Sequence, residues 1–482
     1  MNVILTMSSF IFPLITFPYV SRILMPTGTG KVSFATSFVS YFTLLAQLGI
    51  PTYGIRACAK VRDNKEELTR TAHELLFINF IMVIISYVLF VAAVLFVPKI
   101  RAEKTLYFIV SLNIILTTLG LDWLYKALEQ YTYITVRSII FKFIALIGMF
   151  LLIHKESDYI IYGGLVIFAG CASHMLNLIN AHKYIGIRPV GGYNYKRHIK
   201  AVGVFFAMAC ATTIYTHLDT VMLGFIKTDA DVGYYNAAVK IKTILVSVVT
   251  SLGAVLLPRA SYYIEHNMMQ EFRRISSKAL NFVFLISIPL LVYFILFAKY
   301  GIYFLSGDAY DGSIVPMQII MPTLLFIGIT NILGIQILVP LGKEKTVLYS
   351  EIAGAVADLI LNALLIPRYA SAGAAIGTLV AEIVVLIVQV HALRGEIKEV
   401  FRRISYGKIL SGVLLAGSAS FGVMFIPIGE QMNTTLHSFI ILAISALIFF
   451  GVYGAVLLIT KEQFVLEMLN TVLKKKAKNG GI

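Results

Sequence analysis

Seven ionisable side chains stand inside or at the ends of long apolar runs, where a charge is expensive and marks a function by default. Four are cations, Arg22, Arg56, Lys240 and Arg259; three are acids, Asp219, Asp358 and Glu382. The two sets suit different chemistry. The planar arginine fork donates two parallel hydrogen bonds to a phosphate, so cations gathered inside a bundle would hold a phosphate-bearing anion. A carboxyl in an apolar interior favours its neutral form and can carry a proton or answer to a cation. Each residue also has a plainer reading. Arg22, after Pro13 and Pro18, either faces an interior cavity or snorkels to headgroups. Arg56 and Arg259 form an entry gate or serve as ordinary interfacial anchors. Lys240 and Lys242, two residues apart, point to different helix faces, so one at most faces an interior passage well. Asp358 and Glu382, near the centres of their runs, couple the molecule to protons or cations or are paired within the bundle. Asp219 shares a helix face with Tyr215 and is placed to pair with a lysine of its own half. Asp122 and Lys126, four apart, read as a structural ion pair.

The elements that must position these groups are helices that cross a membrane. The chain is 58% hydrophobic and 13% charged over 482 residues. Its apolar runs of about 20 residues match the hydrocarbon thickness of a bilayer. The spacing predicts an all-α integral membrane protein of about fourteen spans. They lie near 2–24, 32–55, 75–97, 105–124, 133–153, 159–180, 201–224, 233–257, 279–298, 314–340, 347–366, 372–391, 409–427 and 435–459. The fourth and fifth are the least regular, being interrupted by Asp122, Lys126, Arg137 and Lys142.

The net charge of +15 does not point to nucleic acid. The connections after even-numbered spans and the tail hold 29 Lys and Arg, against 9 on the opposite side and two, Lys240 and Lys242, within a span. That asymmetry predicts cytoplasmic termini and outward-facing odd connections, with Asp311 and Glu430 outside. The remaining attraction is to anionic membrane lipid. Cys58, Cys171 and Cys210 lie in or beside spans, so neither a disulfide nor a cysteine metal site is expected. The first segment reads as a retained helix, not a cleaved signal. Connections 56–74, 181–200, 258–278 and 392–408 read as basic surface helices or hinges. The external connection 299–313 is too short to enclose a core. The tail, with Val465, Met468, Leu469 and Val472 followed by Lys474 to Lys476, suits a membrane-surface helix.

A weak repeat runs through the chain. Gly30 and Gly233 follow the first and seventh spans, and Arg56 and Arg259 close the second and eighth, both at an offset of 203. Six spans separate the copies, so both have the same orientation. The expected plan is two six-helix lobes, 1–200 and 201–400, related by a pseudo-two-fold along the membrane normal, plus a C-terminal helix pair and basic tail, 401–482.

Enzyme motifs are poor. "DAD" at Asp229 to Asp231 reads as a solvated loop, "GTGK" at Gly28 to Lys31 lacks phosphate-loop spacing, and the nine histidines show no metalloprotease pattern. No nucleotide-binding domain is present, and no cofactor is expected.

The stretches Phe17 to Lys60, Leu121 to Lys142 and Ile214 to Ile241 resemble the polysaccharide or O-antigen flippase family of the multidrug/oligosaccharidyl-lipid/polysaccharide exporter superfamily. The resemblance implies fourteen helices in two lobes plus a C-terminal pair. It also implies carriage of undecaprenyl-pyrophosphate-linked oligosaccharide from the inner to the outer leaflet of a bacterial plasma membrane. A polysaccharide polymerase and chain-length proteins are the partners it suggests. It places an arginine at the position of Arg22 in a central cavity and favours Lys240, which follows the matching "GYYNAAVK". Two alternatives remain: an ion-coupled multidrug exporter, and a membrane polymerase or ligase acting on lipid-linked glycans. Cationic drugs suit a basic lumen poorly, and an outer-face enzyme should need a larger external region.

Overall fold

The computed structural model describes residues 2–251, 253–395, 400–401, 404–425 and 433–467, with 2–11, 253–255 and 257–258 as backbone only. Residues 468–482, which hold most of the predicted surface helix of the tail, and Glu430 lie outside the described residues. The described chain is helical, with no strand. Lipid offers no hydrogen-bond partners, so each spanning segment must satisfy its backbone internally.

The helices are α1 (Asn2–Gln47), α2 (Ile50–Ala59), α3 (Lys65–Phe96), α4 (Pro98–Ala102), α5 (Lys104–Leu119), α6 (Asp122–Ala127), α7 (Tyr131–Leu152), α8 (Tyr159–Ile167), α9 (His174–Asn180), α10 (Lys196–Ile226), α11 (Asp229–Thr250), α12 (Gly253–Glu265), α13 (Met269–Leu296), α14 (Ala298–Ser306), α15 (Ile314–Ile320), α16 (Thr323–Asn331), α17 (Glu344–Ala392), α18 (Tyr406–Phe421) and α19 (Thr434–Ile459). Eleven helical segments among the described residues are long and apolar enough to cross a membrane, or twelve if the bent pair 308–338 is one span. Two of them, Phe12–Ala59 and Glu344–Ala392, have 48 and 49 residues. A straight helix of that length would reach about 72 Å, over twice the hydrocarbon thickness.

Both long helices are broken. Met25 (φ 58°, ψ 176°) interrupts α1 and Ala370 (φ 49°, ψ −127°) interrupts α17. The first break is written in the sequence. Pro26 disfavours helical backbone at Met25 and is pre-set to open the helix that follows. Leu121, at φ 54°, separates α5 from α6. This is the irregular region of the fourth and fifth spans, resolved as a long helix, a six-residue helix and α7.

The chain divides into two compact units, residues 1–236 and 237–482. In the first, α1 packs against α3, α5, α7, α8 and α10, and α2 packs against α3, α6 and α10. Its core includes Ile50, Leu75, Trp123, Leu124 and Tyr125. In the second, α18 pairs with α19, and both pack against α13. Tyr453 donates to the Leu285 carbonyl at 2.9 Å and Tyr293 to that of Leu442 at 2.8 Å, which stitches α13 to α19. Lipid tails compete with apolar side chains, so close approach at small residues carries much of the packing. A Cβ on Gly54 would come 2.8 Å from the Trp123 ring. Outward-facing Phe96, Leu151, Leu414 and Leu447 remain exposed, as a lipid-facing surface requires.

Three expected loops are more ordered than their composition suggested. Residues 299–313 hold most of α14 and a 3-10 turn with buried Tyr310. Asp231 accepts from the hydroxyl of Thr228 at 2.6 Å and from its backbone N–H at 3.2 Å, so "DAD" opens α11 instead of lying in a loop. "GTGK" is a helical turn of α1.

Candidate functional site

Arg22 is half-buried in the first half of α1, and its Nη1 donates to the Pro18 carbonyl one turn earlier. A helical side chain leans toward its own N-terminus. This bond therefore draws the guanidinium back along the span, away from the break at Met25. Asp219 is buried on α10 and accepts a hydrogen bond from Tyr235, itself buried on the first turns of α11. Tyr235 was missed at the sequence level, where Tyr215 was the neighbour considered; a fold contact across a turn leaves no periodic signal. Arg56 is exposed at the end of α2. In the second unit, Lys240 is half-buried on α11 and Arg259 is exposed on α12.

Asp358 and Glu382 lie on opposite halves of α17, and both are buried. The halves fold back on each other after Ala370. A Cβ on Gly373 would come 2.6 Å from the Leu365 carbonyl carbon, and Gln389 donates to Ser350 at 3.2 Å. Between these contacts, a Cβ on Gly377 would overlap Asn362 Oδ1 and come 2.9 Å from Asp358 Oδ1. The buried residues Ser350, Gly354, Asp358, Asn362 and Ile366 recur every four positions, a single helix face. Opposite them, Gly377, Thr378, Ala381, Glu382 and Gln389 are also buried. Both carboxyls are therefore buried within the hairpin, Asp358 against Gly377.

The first unit buries charge differently. Glu74, with no solvent exposure, binds the backbone N–H of Asn194 (2.5 Å), Arg197 Nε (2.8 Å) and His198 Nε2 (2.7 Å). The other imidazole nitrogen of His198 meets Tyr53 at 2.8 Å. A second cluster holds buried Arg137 against Asp122 at 3.4 Å and the Ser173 carbonyl at 2.9 Å. Asp122 also pairs with Lys126 at 2.7 Å, the expected ion pair. Arg197 lies in the connection expected at 181–200, and its acid partner is 123 residues away in sequence.

At the end of this unit carrying connections 97–104, 153–158 and 226–229, the segments around Gly30 and Gly233 lie in contact. A Cβ on Gly30 would overlap the Asp229 carbonyl, and one on Gly233 would overlap the Pro26 carbonyl. Lys31 bonds Glu103 at 2.5 Å, Glu103 accepts from Tyr159 at 2.6 Å, and Lys99 pairs with Asp229 at 3.2 Å. From there α10 runs back along α1 and α2. Gly224 lies against Phe34, His217 meets Ser37 at 3.2 Å, and Phe205 lies beside Tyr53.

Residues 1–264, more than half of the chain, match the family model described as "Polysaccharide biosynthesis protein", and residues 205–364 match the MatE model. A curated relative of Escherichia coli (strain K12), "Putative O-antigen transporter", is 24% identical over 78% of this chain and 91% of its own. Another of the same description from Shigella dysenteriae is 23% identical over 80% and 97%. "Probable flippase AglR" of Haloferax volcanii is 27% identical over 37% of this chain and 38% of its own. Among solved structures, "Lipid II flippase MurJ, inward closed conformation" has a TM-score of 0.73 at 17% identity, covering 95% of this chain and 99% of that one. An inward-facing multidrug resistance MATE family transporter has a TM-score of 0.61 at 14% identity, covering 80% and 95%. These likenesses show a shared two-lobe helical fold in a multi-pass membrane protein.

Proposed function

This chain belongs to the polysaccharide biosynthesis protein family, and on that premise we propose that it is a flippase for lipid-linked oligosaccharide. It moves undecaprenyl-pyrophosphate-linked repeat units from the inner to the outer leaflet of a bacterial plasma membrane, for surface polysaccharide assembly. The observation that carries the reading is Arg22. A guanidinium drawn back into a membrane helix, in a chain aligned with O-antigen transporters over most of its length, suits a passage for a pyrophosphate head. In low dielectric the attraction of that charge for phosphate is far stronger than in water. Arg56, Lys240 and Arg259 are assigned to the same passage, the two exposed arginines at its cytoplasmic entrance and Lys240 within.

Asp219, Asp358 and Glu382 are assigned to coupling with protons or cations. The support for the last two is their burial in the α17 hairpin. The two doubly long helices each count as two spans, which brings the twelve candidate spans to fourteen. The charge asymmetry puts both termini in the cytoplasm, and the 203-residue offset supports alternating access between two repeats. The chain acts without catalysis or cofactor, alongside a polymerase and chain-length proteins.

The experiment is reconstitution. Purified protein in vesicles carrying labelled lipid-linked oligosaccharide in the inner leaflet should deliver the label to the outer leaflet. Delivery no faster than in protein-free vesicles, with substrates of several glycan types, would refute the function. A cationic drug moved in its place would support the exporter alternative.

A further inference from the structure

Within the second unit, a cavity of about 350 Å³ lies where the ends of three spans meet. Its walls come from the first turns of α13, from Ser405 just before α18, and from the residues that follow the end of α19 at Ile459. Tyr406, next to Ser405, is exposed, and so is Ile459. Span ends with an exposed aromatic side chain belong at the headgroup level of a bilayer. Glu462, with no solvent exposure, ties the three segments together. It accepts from Asn281 Nδ2 at 2.9 Å, from Ser405 Oγ at 3.1 Å and from the Val465 N–H at 2.9 Å. The Ser405 N–H donates in turn to Asn281 Oδ1 at 3.1 Å. All of these donors are uncharged.

The mouth of the cavity carries both signs of charge. Arg274 and Lys278 stand one turn apart on one face of α13. Lys278 pairs with Glu467 at 2.7 Å, and Arg274 lies 3.5 Å from Glu271. The side chains of Arg274, Lys278 and Glu467 are 57%, 45% and 52% exposed, so a ligand can reach all three. The lining thus sets two cations, Arg274 and Lys278, against two acids, Glu462 and Glu467. A simple anion would sit beside Glu467, and a simple cation beside Arg274 and Lys278. A zwitterion answers both signs. Its phosphate takes the two cations, while its ammonium takes Glu467 by contact and feels the charge of Glu462 from behind. Parting the Lys278–Glu467 pair costs little, because half-exposed ion pairs contribute weakly. Phe464 adds an aromatic wall that attracts an ammonium. A primary ammonium suits the site better than a trimethylated one, since only its N–H groups can donate to a carboxylate.

We infer that this cavity binds the headgroup of a zwitterionic membrane phospholipid with a primary ammonium, a phosphoethanolamine lipid. The phosphate rests on Arg274 and Lys278, the ammonium lies against Glu467 and Phe464, and the acyl chains stay in the bilayer. Pockets of this kind between span ends are where headgroups are recognised. The lipid would bridge α13 and the segment after α19, adding to the network around Glu462. The inference concerns the second unit alone and does not rest on the transport reading.

The test is lipid retention by the purified full-length protein in detergent, read by native mass spectrometry. Phosphatidylethanolamine, phosphatidylglycerol and phosphatidylcholine with the same acyl chains are supplied in equal amounts. The intact protein should retain phosphatidylethanolamine about three- to fivefold over each of the others, the discrimination that a half-exposed charge contact allows. Replacing both cations, Arg274→Gln with Lys278→Gln, should abolish the preference. Glu467→Gln should reverse it in favour of phosphatidylglycerol, because the cations remain and the acid that repels an anion is gone. The readout is a ratio among lipids, so a general loss of structure would not produce the reversal. Equal retention of the three lipids by the intact protein, or a preference for phosphatidylethanolamine that survives in both the double variant and Glu467→Gln, overturns the site. Soluble phosphoethanolamine that displaces the bound lipid as effectively as a short-chain phosphatidylethanolamine overturns its assignment to a membrane lipid. None of these measurements involves transport, so their outcome is independent of the function proposed above.

Discussion

Glu74 in the first unit and Asp358 in the second are buried in contrasting surroundings. The first surrounds its most deeply buried acid with strong donors: Glu74 accepts from Arg197, His198 and a backbone N–H, and Arg137 is held by Asp122 and a carbonyl. The second places Asp358 and Glu382 in a hairpin walled by Gly377, Asn362, Thr378 and Gln389. The contrast teaches what each kind of buried charge is suited for. A carboxylate held at once by a guanidinium, an imidazole and a backbone N–H acts as a staple between segments far apart in the chain. Asp358, packed against Gly377 and near Asn362, meets there two groups that carry no charge of their own.

The contrast can be broken most severely at Glu74. Glu74→Ala strands buried His198 and frees Arg197, 39% exposed, to turn to water, so the cost falls short of the ~3–5 kcal/mol of a fully buried pair. A large fall in the unfolding midpoint in detergent is expected, with Glu74→Gln intermediate. A midpoint within a degree of wild type would mean that the network is not a staple. Next is Gly377→Leu. Its side chain must displace Asn362 and Asp358, and overpacking of this kind costs about 1–3 kcal/mol. Flipping should be lost while the protein still assembles, and wild-type transport by this variant would show that the hairpin can open without consequence.

Arg22→Ala should lower the flipping rate by more than Arg22→Lys, because lysine keeps the charge and loses the fork. Equal rates in all three proteins, at matched amounts in the membrane, would remove the pyrophosphate role. The mildest changes to the fold are Asp358→Asn and Glu382→Gln, which keep shape and hydrogen-bonding capacity; their stability should change by less than about 1.5 kcal/mol. Their response to an imposed pH or cation gradient should nonetheless disappear. A gradient response retained by both variants would make these acids structural, like Glu74, and erase the contrast between the units.

Much of the fold was legible because lipid imposes a simple rule. Each crossing needs a long apolar helix, and the breaks at Met25 and Ala370 fall in the gaps between the expected spans, 24–32 and 366–372. The candidate acids were legible for the same reason, since Asp358 and Glu382 stand out in apolar sequence. Glu74 did not stand out. It lies in a polar stretch near the start of α3, where an acid looks like ordinary surface, and only the fold brings residues 194–198 to it. The glycine pair was visible as a repeat, although nothing in the residues said that the two copies touch.

The sequence by itself determined that the chain is a helical membrane bundle, where its apolar segments fall and how its basic residues are distributed. Those properties depend on local composition and on transfer between water and lipid, which act residue by residue. Tertiary structure alone decided which residues meet buried Glu74, which way Arg22 folds back, and that Gly30 lies against Asp229 and Gly233 against Pro26. Those outcomes depend on contacts between residues tens to hundreds of positions apart, and periodicity along one helix holds no information about them.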